Sequence, residues 1–436
     1  MDPFSLGITG MVAMLLLLVS GVHIVVVLGA VGLVGLIMLV GLEPAIYTSS
    51  TLAFTKISAY GRVLLPLFIL MGMLAQAGGQ SDNIYNTLRL WVGKVRGGLA
   101  IATVGACTAF GTVCGSSLVT ATVFAQVSAP EMRRQGYEKK FAYAVSTASG
   151  MIGMLIPPSV MIVVYAELVE ESVGALLVTG AVPGVMLFII FSLGIIIMTS
   201  LKPSLAPAIK TETTWRQKFT SLKSLWGVVT AVGIIFGGIF GGVFSPTEAG
   251  AIAAVVLLVL FLFSKQRSWQ ALKSSLLGTV STAGMIFLII VTAGIFSRFL
   301  VLSTVVPRFM EFILSIDFSP LVFLVILSVI YLILGLFLEG IAMLALTLPF
   351  LHPAALAIGI NNLQFAMVAI IALEAGLITP PVGLNVYVVK GVAEPDVSLE
   401  ELFTGVAPFF FMVLSCLILF ILFPPLSTFL ASLMID

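Results

Sequence analysis

Two proline pairs, Pro157-Pro158 and Pro380-Pro381, each interrupt a long apolar stretch, 141–166 and 365–389. Proline lacks a backbone N–H and its ring clashes with the preceding turn, so two in succession cannot continue a helix. Each stretch must therefore be a broken helix whose freed carbonyl and amide groups need partners. The pairs lie 223 positions apart. The same shift carries Pro130 onto Pro353, Gly136 onto Gly359, Val145 onto Val368 and Gly153 onto Gly376. Agreement at this many helix-disrupting positions points to an internal repeat.

The stretches around these breaks belong in lipid. Of 436 residues, 60% are hydrophobic and 9% charged, with a mean hydropathy of +1.22, whereas charged residues make up roughly a quarter of a soluble domain. Apolar runs long enough to span a bilayer recur along the chain: 6–40 (one long helix or two short ones, divided at His23), 63–77, 173–199, 228–244, 249–263, 279–300 and 402–423. No basic segment precedes the first run, so it is expected to stay as a membrane helix rather than serve as a cleaved signal. The segments 43–61 and 80–97 mix charged and apolar residues and suit an interfacial position. A polar connector, 202–223, divides the chain nearly in half, giving an expected first repeat of 1–201 and a second of 224–436.

Two further apolar stretches have small or polar residues at their centres. Gly111, Gly115, Ser116 and Ser117 interrupt 99–126, and Gly335, Glu339 and Gly340 interrupt 321–350. Each has the length to enter the membrane, turn and leave on the same side, an arrangement tolerated only where it is buried in protein or lines a cavity. The 223-residue shift puts Ser116 on Glu339, so both expected hairpin tips precede their double proline by 41 positions. Arg89, Lys94, Arg96, Arg133, Arg134, Lys139 and Lys140 flank the first hairpin, while Arg308 is the main basic residue near the entry to the second. The positive-inside rule then opens the first hairpin to the cytoplasm and the second to the outside. The expected fold class is an all-α integral membrane protein of two inverted-topology repeats, each with a re-entrant hairpin and a broken helix. The tips would meet near the midplane, and such paired interrupted segments mark transporter binding sites.

The residues at these places suit ions. Gly115-Ser116-Ser117 offers flexible backbone and two hydroxyls, although small residues also serve helix packing in membranes. Free carbonyls at the two proline breaks suit sodium, and half-helix N-termini suit an anionic group; Ser159, Thr379 and Asn385 add side-chain oxygens. Glu339 and Glu374 lie deep in apolar runs, where an ionisable group costs about 2.5–3.5 kcal/mol on insertion scales. Each either binds a cation or proton or is a carboxyl hydrogen-bonded in the interior. Arg298 ends another apolar run and either snorkels to the interface or meets a substrate carboxylate. Ser245-Pro246-Thr247-Glu248 reads as a capping box.

Other chemistries find no support. Cys107, Cys114 and Cys416 sit in apolar stretches and read as small core residues, and His23 and His352 are isolated. There is no GxxxxGK[ST] for ATP and no HExxH. Asp2, Asp82, Asp317, Asp396 and Asp436 lie near termini or in loops rather than in spans, which disfavours an intramembrane aspartyl protease. No enzyme activity is expected, and the net charge of +1 suggests no nucleic-acid partner.

The run GSSLVTATVFAQVSAPEMRRQGYEKKFAYAVSTASGMIGMLIPPS, from Gly115 to Ser159, resembles the large membrane subunit of tripartite ATP-independent periplasmic (TRAP) transporters. SPTEAGAIAA from Ser245 and EAGLITPPVGLN from Glu374 to Asn385 resemble second-half motifs of that family. The resemblance covers nearly the whole chain and implies a sodium-driven, elevator-type importer in the bacterial inner membrane, with the lipid bilayer around it. It also implies a small four-helix membrane subunit and a soluble periplasmic substrate-binding protein as partners. One sodium site would fall at Gly115, Ser116, Ser117 and Ser159, and the other at Gly340, Gly376 and Thr379, with Glu339 as a further candidate ligand. The substrate, a C4-dicarboxylate, a sialic acid or another organic anion, would meet Ser116, Ser117, Pro157, Pro158, Pro380, Pro381 and Asn385. Alternatives are a stand-alone divalent-anion/sodium symporter, an ion channel or a membrane scaffold.

Overall fold

The computed structural model describes residues 2–207, 214–316 and 318–433. Part of the expected connector (208–213), Asp317 and Asp436 lie outside the described residues. The described chain is helical, with no strand.

The first expected span resolves into two helices, α1 (Pro3–Val19) and α2 (Ile24–Val40), because His23 caps α2 by accepting from the Val25 N–H. They are followed by α3 (Leu42–Ser58), α4 (Leu64–Ala77) and α5 (Gln80–Val92). Next comes the first hairpin, α6 (Gly98–Cys114) and α7 (Ser117–Arg134). Its ends are tied together where the Tyr137 hydroxyl accepts from the Leu99 N–H at 3.2 Å. The first broken helix consists of α8 (Lys139–Gly150), the single turn α9 (Ile152–Leu155) and α10 (Val160–Val169), bent by 43° at the proline pair. The long α11 (Val173–Leu201) closes this half.

In the second half, α12 (Trp215–Leu222), α13 (Trp226–Phe240), α14 (Pro246–Phe263), α15 (Trp269–Leu302) and α16 (Val305–Ser315) lead to the second hairpin. That hairpin is α17 (Pro320–Leu334) and α18 (Gly340–Ala357), and its arms are joined by Tyr331 and Thr347, whose hydroxyls lie 2.7 Å apart. The second broken helix is α19 (Asn362–Gly376) and α20 (Leu384–Val392), followed by α21 (Leu399–Leu422) and the short α22 (Pro425–Thr428). Helix starts recur at one interval: Ser117 opens α7 and Gly340 opens α18, 223 positions on, while Lys139 opens α8 and Asn362 opens α19 at the same separation.

Local chemistry accounts for these boundaries. Serine opens α11, α14, α15, α17 and α21, its hydroxyl accepting a backbone N–H of the first turn that would otherwise lack a partner. The expected capping box at Ser245 is present: Glu248 accepts from the Ser245 N–H at 2.8 Å, and Ser245 accepts from the Glu248 N–H at 3.3 Å. Among the described residues, seven helices are long and apolar enough to cross a bilayer, or eight if the bent pair counts as one span. Their outer faces are apolar. On α11, Val185, Ile189, Leu193 and Ile197 are exposed at a spacing of four, while Leu187, Phe191 and Ile195 on the opposite face are buried. A water-soluble helix has the reverse polarity; this is a multi-pass membrane protein whose exposed stripes suit lipid.

The core is built around the breaks. Ion pairs join Arg133 to Glu394 at 2.6 Å and Lys139 to Asp396 at 3.1 Å, setting the start of the first broken helix beside the end of the second. At the other end, the Tyr165 hydroxyl donates to Asn362 Oδ1 at 3.2 Å, setting the end of α10 beside the start of α19. The two broken helices thus run in opposite directions. Each hairpin's second arm packs on the other half's broken helix, α7 on α20 and α18 on α10. Each hairpin's first arm meets its own broken helix through glycine. A Cβ on Gly111 would lie 2.1 Å from Gly153 Cα, and one on Gly335 would lie 2.7 Å from Gly376 Cα. Backbones this close admit no side chain. Gly111→Val should therefore destabilise the protein by about 1–3 kcal/mol or more, seen as a lower Tm in detergent or loss of monodisperse protein. Gly284→Ala on α15, where a Cβ meets nothing within 4 Å, should leave Tm nearly unchanged. Equal stability of the two variants would contradict this packing.

Candidate functional site

The two hairpin tips open into one cavity of about 150 Å³. Gly115 and Ser116 of the first tip, Glu339 and Ile341 of the second, and Met154 and Val160 on either side of the first proline pair line it. Two long helices form the facing wall, α4 through Ile69, Gly72, Met73 and Gln76, and α15 through Thr282, Met285 and Ile286.

Each tip residue is held by backbone geometry. Gly115 ends α6 at a φ of 60°, a left-handed conformation that glycine adopts at no steric cost. A side chain there would also lie 3.0 Å from the Pro158 carbonyl oxygen, so the tip rests directly on the break. Ser116 is the N-cap of α7, its hydroxyl accepting from the Val119 N–H at 3.4 Å. Glu339 holds the equivalent place before α18 but makes no side-chain capping bond of normal geometry, and it is half-buried in the cavity lining. Gly340 is buried against Met161 of α10 and Leu373 of α19.

The breaks supply unpaired oxygen. Among the described residues, the carbonyls of Ile156, Pro157 and Pro158 accept no hydrogen bond, nor do those of Ile378, Thr379, Pro380, Pro381 and Val382. Both proline pairs contain a cis peptide bond. Ser159 is the N-cap of α10: its hydroxyl accepts from the Ile162 N–H at 3.2 Å and donates to the Met154 carbonyl. The expected ligand is therefore already engaged as a helix cap, with only its remaining lone pair open to a cation. Thr379 donates to the Ala375 carbonyl at 2.7 Å, and Gly376 lies against Gly335.

The candidate residues divide into two groups. Gly115, Ser116 and Glu339 share the tip cavity. Thr379, Pro380, Pro381 and Asn385 lie outside its lining, and the two breaks differ in environment: Pro157 and Pro158 are buried, whereas Pro380 and Pro381 are exposed. Ser117 faces away from the cavity, its hydroxyl 3.5 Å from Glu374 Oε1. Glu374 is fully buried and its Oε2 has no partner among the described residues; the same holds for both polar atoms of the Asn385 amide. Buried polar atoms left this way are costly and call for a water, proton or ion. Sequence reasoning missed Gln76 and Thr282 in the cavity wall, and the buried hydroxyls of Thr120 and Ser149 near the first break, which have no hydrogen-bond partner among the described residues. The available signal was a polar residue within an apolar span.

Comparison with known proteins places this geometry. Residues 11–426 match the family described as tripartite ATP-independent periplasmic transporter, DctM component. The chain is 32% identical over 370 residues to the C4-dicarboxylate TRAP transporter large permease protein DctM of Pseudomonas aeruginosa, covering 84% of this chain and 85% of that protein. It is 31% identical to the sialic acid TRAP transporter large permease protein SiaM of Vibrio cholerae, covering 85% and 86%. Its fold is similar to that of the Alcanivorax borkumensis YdaH transporter, with a TM-score of 0.61 at 16% identity, over 98% of this chain and all of that one. With broken helices, hairpins and a family match spanning nearly its full length, the chain belongs to the DctM component family of tripartite ATP-independent periplasmic transporters.

Proposed function

We propose that the chain is the large transmembrane subunit of a sodium-coupled importer of a small organic anion, working in the bacterial inner membrane. A soluble periplasmic protein delivers the substrate, and a small membrane subunit completes the complex. The observation that carries this reading is the shared cavity, where two hairpin tips and a proline break with free carbonyls face one wall of long helices. Sodium is a hard cation that prefers oxygen ligands, and the breaks and tips offer carbonyls, hydroxyls and the Glu339 carboxyl. The N-termini of α7 and α18 both begin at the tips, and their partial positive charge suits an anionic substrate.

The chain divides into two repeats, 1–201 and 224–436, of opposite orientation. The recurring helix starts and the antiparallel course of the broken helices support this division. Hairpins and broken helices move as one body against α4 and α15, carrying substrate in an elevator step. Basic residues at the base of the first hairpin mark the cytoplasmic side. The relatives' substrates, C4-dicarboxylates and sialic acid, make carboxylates the first class to test.

Sodium-driven uptake of succinate or sialic acid is expected in proteoliposomes holding this chain, the small subunit and the binding protein. Omitting either partner should abolish it. Uptake by this chain alone would point instead to a self-sufficient symporter, and sodium-independent conductance to a channel. Thr379→Ala, or Ser116→Ala with Ser117→Ala, should raise the sodium concentration for half-maximal uptake about tenfold. That is the effect of losing ~1.4 kcal/mol of ion binding. Membrane insertion should hold in each, and Tm should hold in Thr379→Ala; the serine pair should lose in addition the small stability of the Ser116 cap. An unchanged sodium dependence would remove these residues from the ion sites.

A further inference from the structure

A second cavity, of about 410 Å³, lies further along α15. The wall of the tip cavity on α15 is Thr282, Met285 and Ile286; that of the second cavity is Ile290, Ala293, Gly294, Ser297, Arg298 and Val301. These positions recur at three and four residues, so they form one stripe on a single face of the helix. The stripe runs from Thr282 to Arg298, about 24 Å at 1.5 Å per residue. Only one turn, Ile286 to Ile290, separates the two cavities along it.

Of the charged groups that line the second cavity, Arg298 has no ion-pair partner among the described residues. Lys56 and Glu170, both in its lining, pair at 2.5 Å. The hydrogen bond from Lys56 holds the Glu170 carboxyl below the usual carboxylate range, so this pair is neutral as a unit. Nearby, Arg62 pairs with Glu167 at 2.5 Å and also donates to the Thr55 carbonyl. Arg298 is exposed to the cavity, with no acidic partner within 4.0 Å and no hydrogen bond among the described residues. His352, opposite, is held by a 2.8 Å bond between Nε2 and Asn362 Oδ1. One unpaired guanidinium in a concave site is a receptor for a carboxylate, which it meets through two parallel N–H donors.

We propose that this second cavity is a staging site, where Arg298 receives the carboxylate of the transported anion before it passes along the α15 stripe to the hairpin tips. The proposal rests on the transport reading above. By the orientation proposed there, the cavity lies toward the outer face, the side on which a delivered substrate arrives.

The test uses the complete three-component complex in proteoliposomes, with whichever of succinate or sialic acid the unaltered complex takes up. Arg298→Gln should raise KM for that anion about tenfold or more, while the sodium concentration for half-maximal uptake and Tm stay unchanged. Arg298→Lys, which keeps the charge but loses the fork, should recover part of the affinity. An unchanged KM in Arg298→Gln would overturn the staging site while leaving the transport reading intact. Failure of the unaltered complex to take up either anion with sodium would overturn both. A second arm compares vesicles of phosphatidylcholine with vesicles containing phosphatidylglycerol. The KM effect should appear in both; an effect confined to phosphatidylglycerol vesicles would assign Arg298 to a lipid phosphate and overturn the proposal.

Discussion

Backbone that leaves the helical path inside a bilayer must find its hydrogen-bond partners, or its shelter, within the protein. This chain breaks its path in the apolar interior at two proline pairs and two hairpin tips, and the arrangement of the core follows from enclosing those breaks. Gly115 sits against the Pro158 carbonyl because nothing larger fits there. Gly111 against Gly153 and Gly335 against Gly376 bring the hairpin arms within backbone distance of the broken helices. Small residues at membrane helix contacts have this role generally, since close approach, and not exclusion of water, holds such helices together.

The same demand explains why neither half folds around itself alone. α7 covers α20 as well as α8, and α18 covers α10 as well as α19, so each hairpin shelters the other half's broken helix along with its own. Ser117 meeting Glu374, and Gly340 meeting Met161, are the side-chain expression of that exchange. At one end the exchange is fastened by ion pairs of Arg133 and Lys139 with Glu394 and Asp396. The hydrogen bond from Lys139 pulls the Asp396 carboxyl below the ordinary aspartate range and so favours its ionised form.

Much of this was legible in the sequence because covalent chemistry and spacing carry it. Proline pairs locate breaks without any knowledge of tertiary structure, and Ser245 to Glu248 reads as a capping box from residue types alone. The hairpin tips followed from glycine, serine and glutamate in apolar runs, and the structure ends one helix at Cys114, within the first expected tip, and another at Leu334, immediately before the second. Three things were not legible. Ser159 offers an oxygen in either role, and only the local turn shows it capping α10. Gln76 and Thr282 become cavity residues only through the face that α4 and α15 turn toward the tips. The unequal burial of the two proline pairs has no counterpart in sequence, because equivalent residues differ only in what packs over them.

The length of α15 has an electrical consequence. Its charged residues are Lys273 and Arg298, about 37 Å apart along the axis at 1.5 Å per residue. That distance exceeds the roughly 30 Å hydrocarbon layer even with a tilt of about 20°, so both charges can reach an interface and the uncharged stretch between them spans the oil. Thr282 to Ile286, which face the hairpin tips, fall near the middle of that stretch. A cation reaching Glu339 from either solution has then crossed about half of the transmembrane voltage, or ~1.2 kcal/mol per 100 mV for a single charge. On the ion-coupled reading proposed above, cation binding at the tips is itself a voltage-dependent step, whichever way the substrate moves.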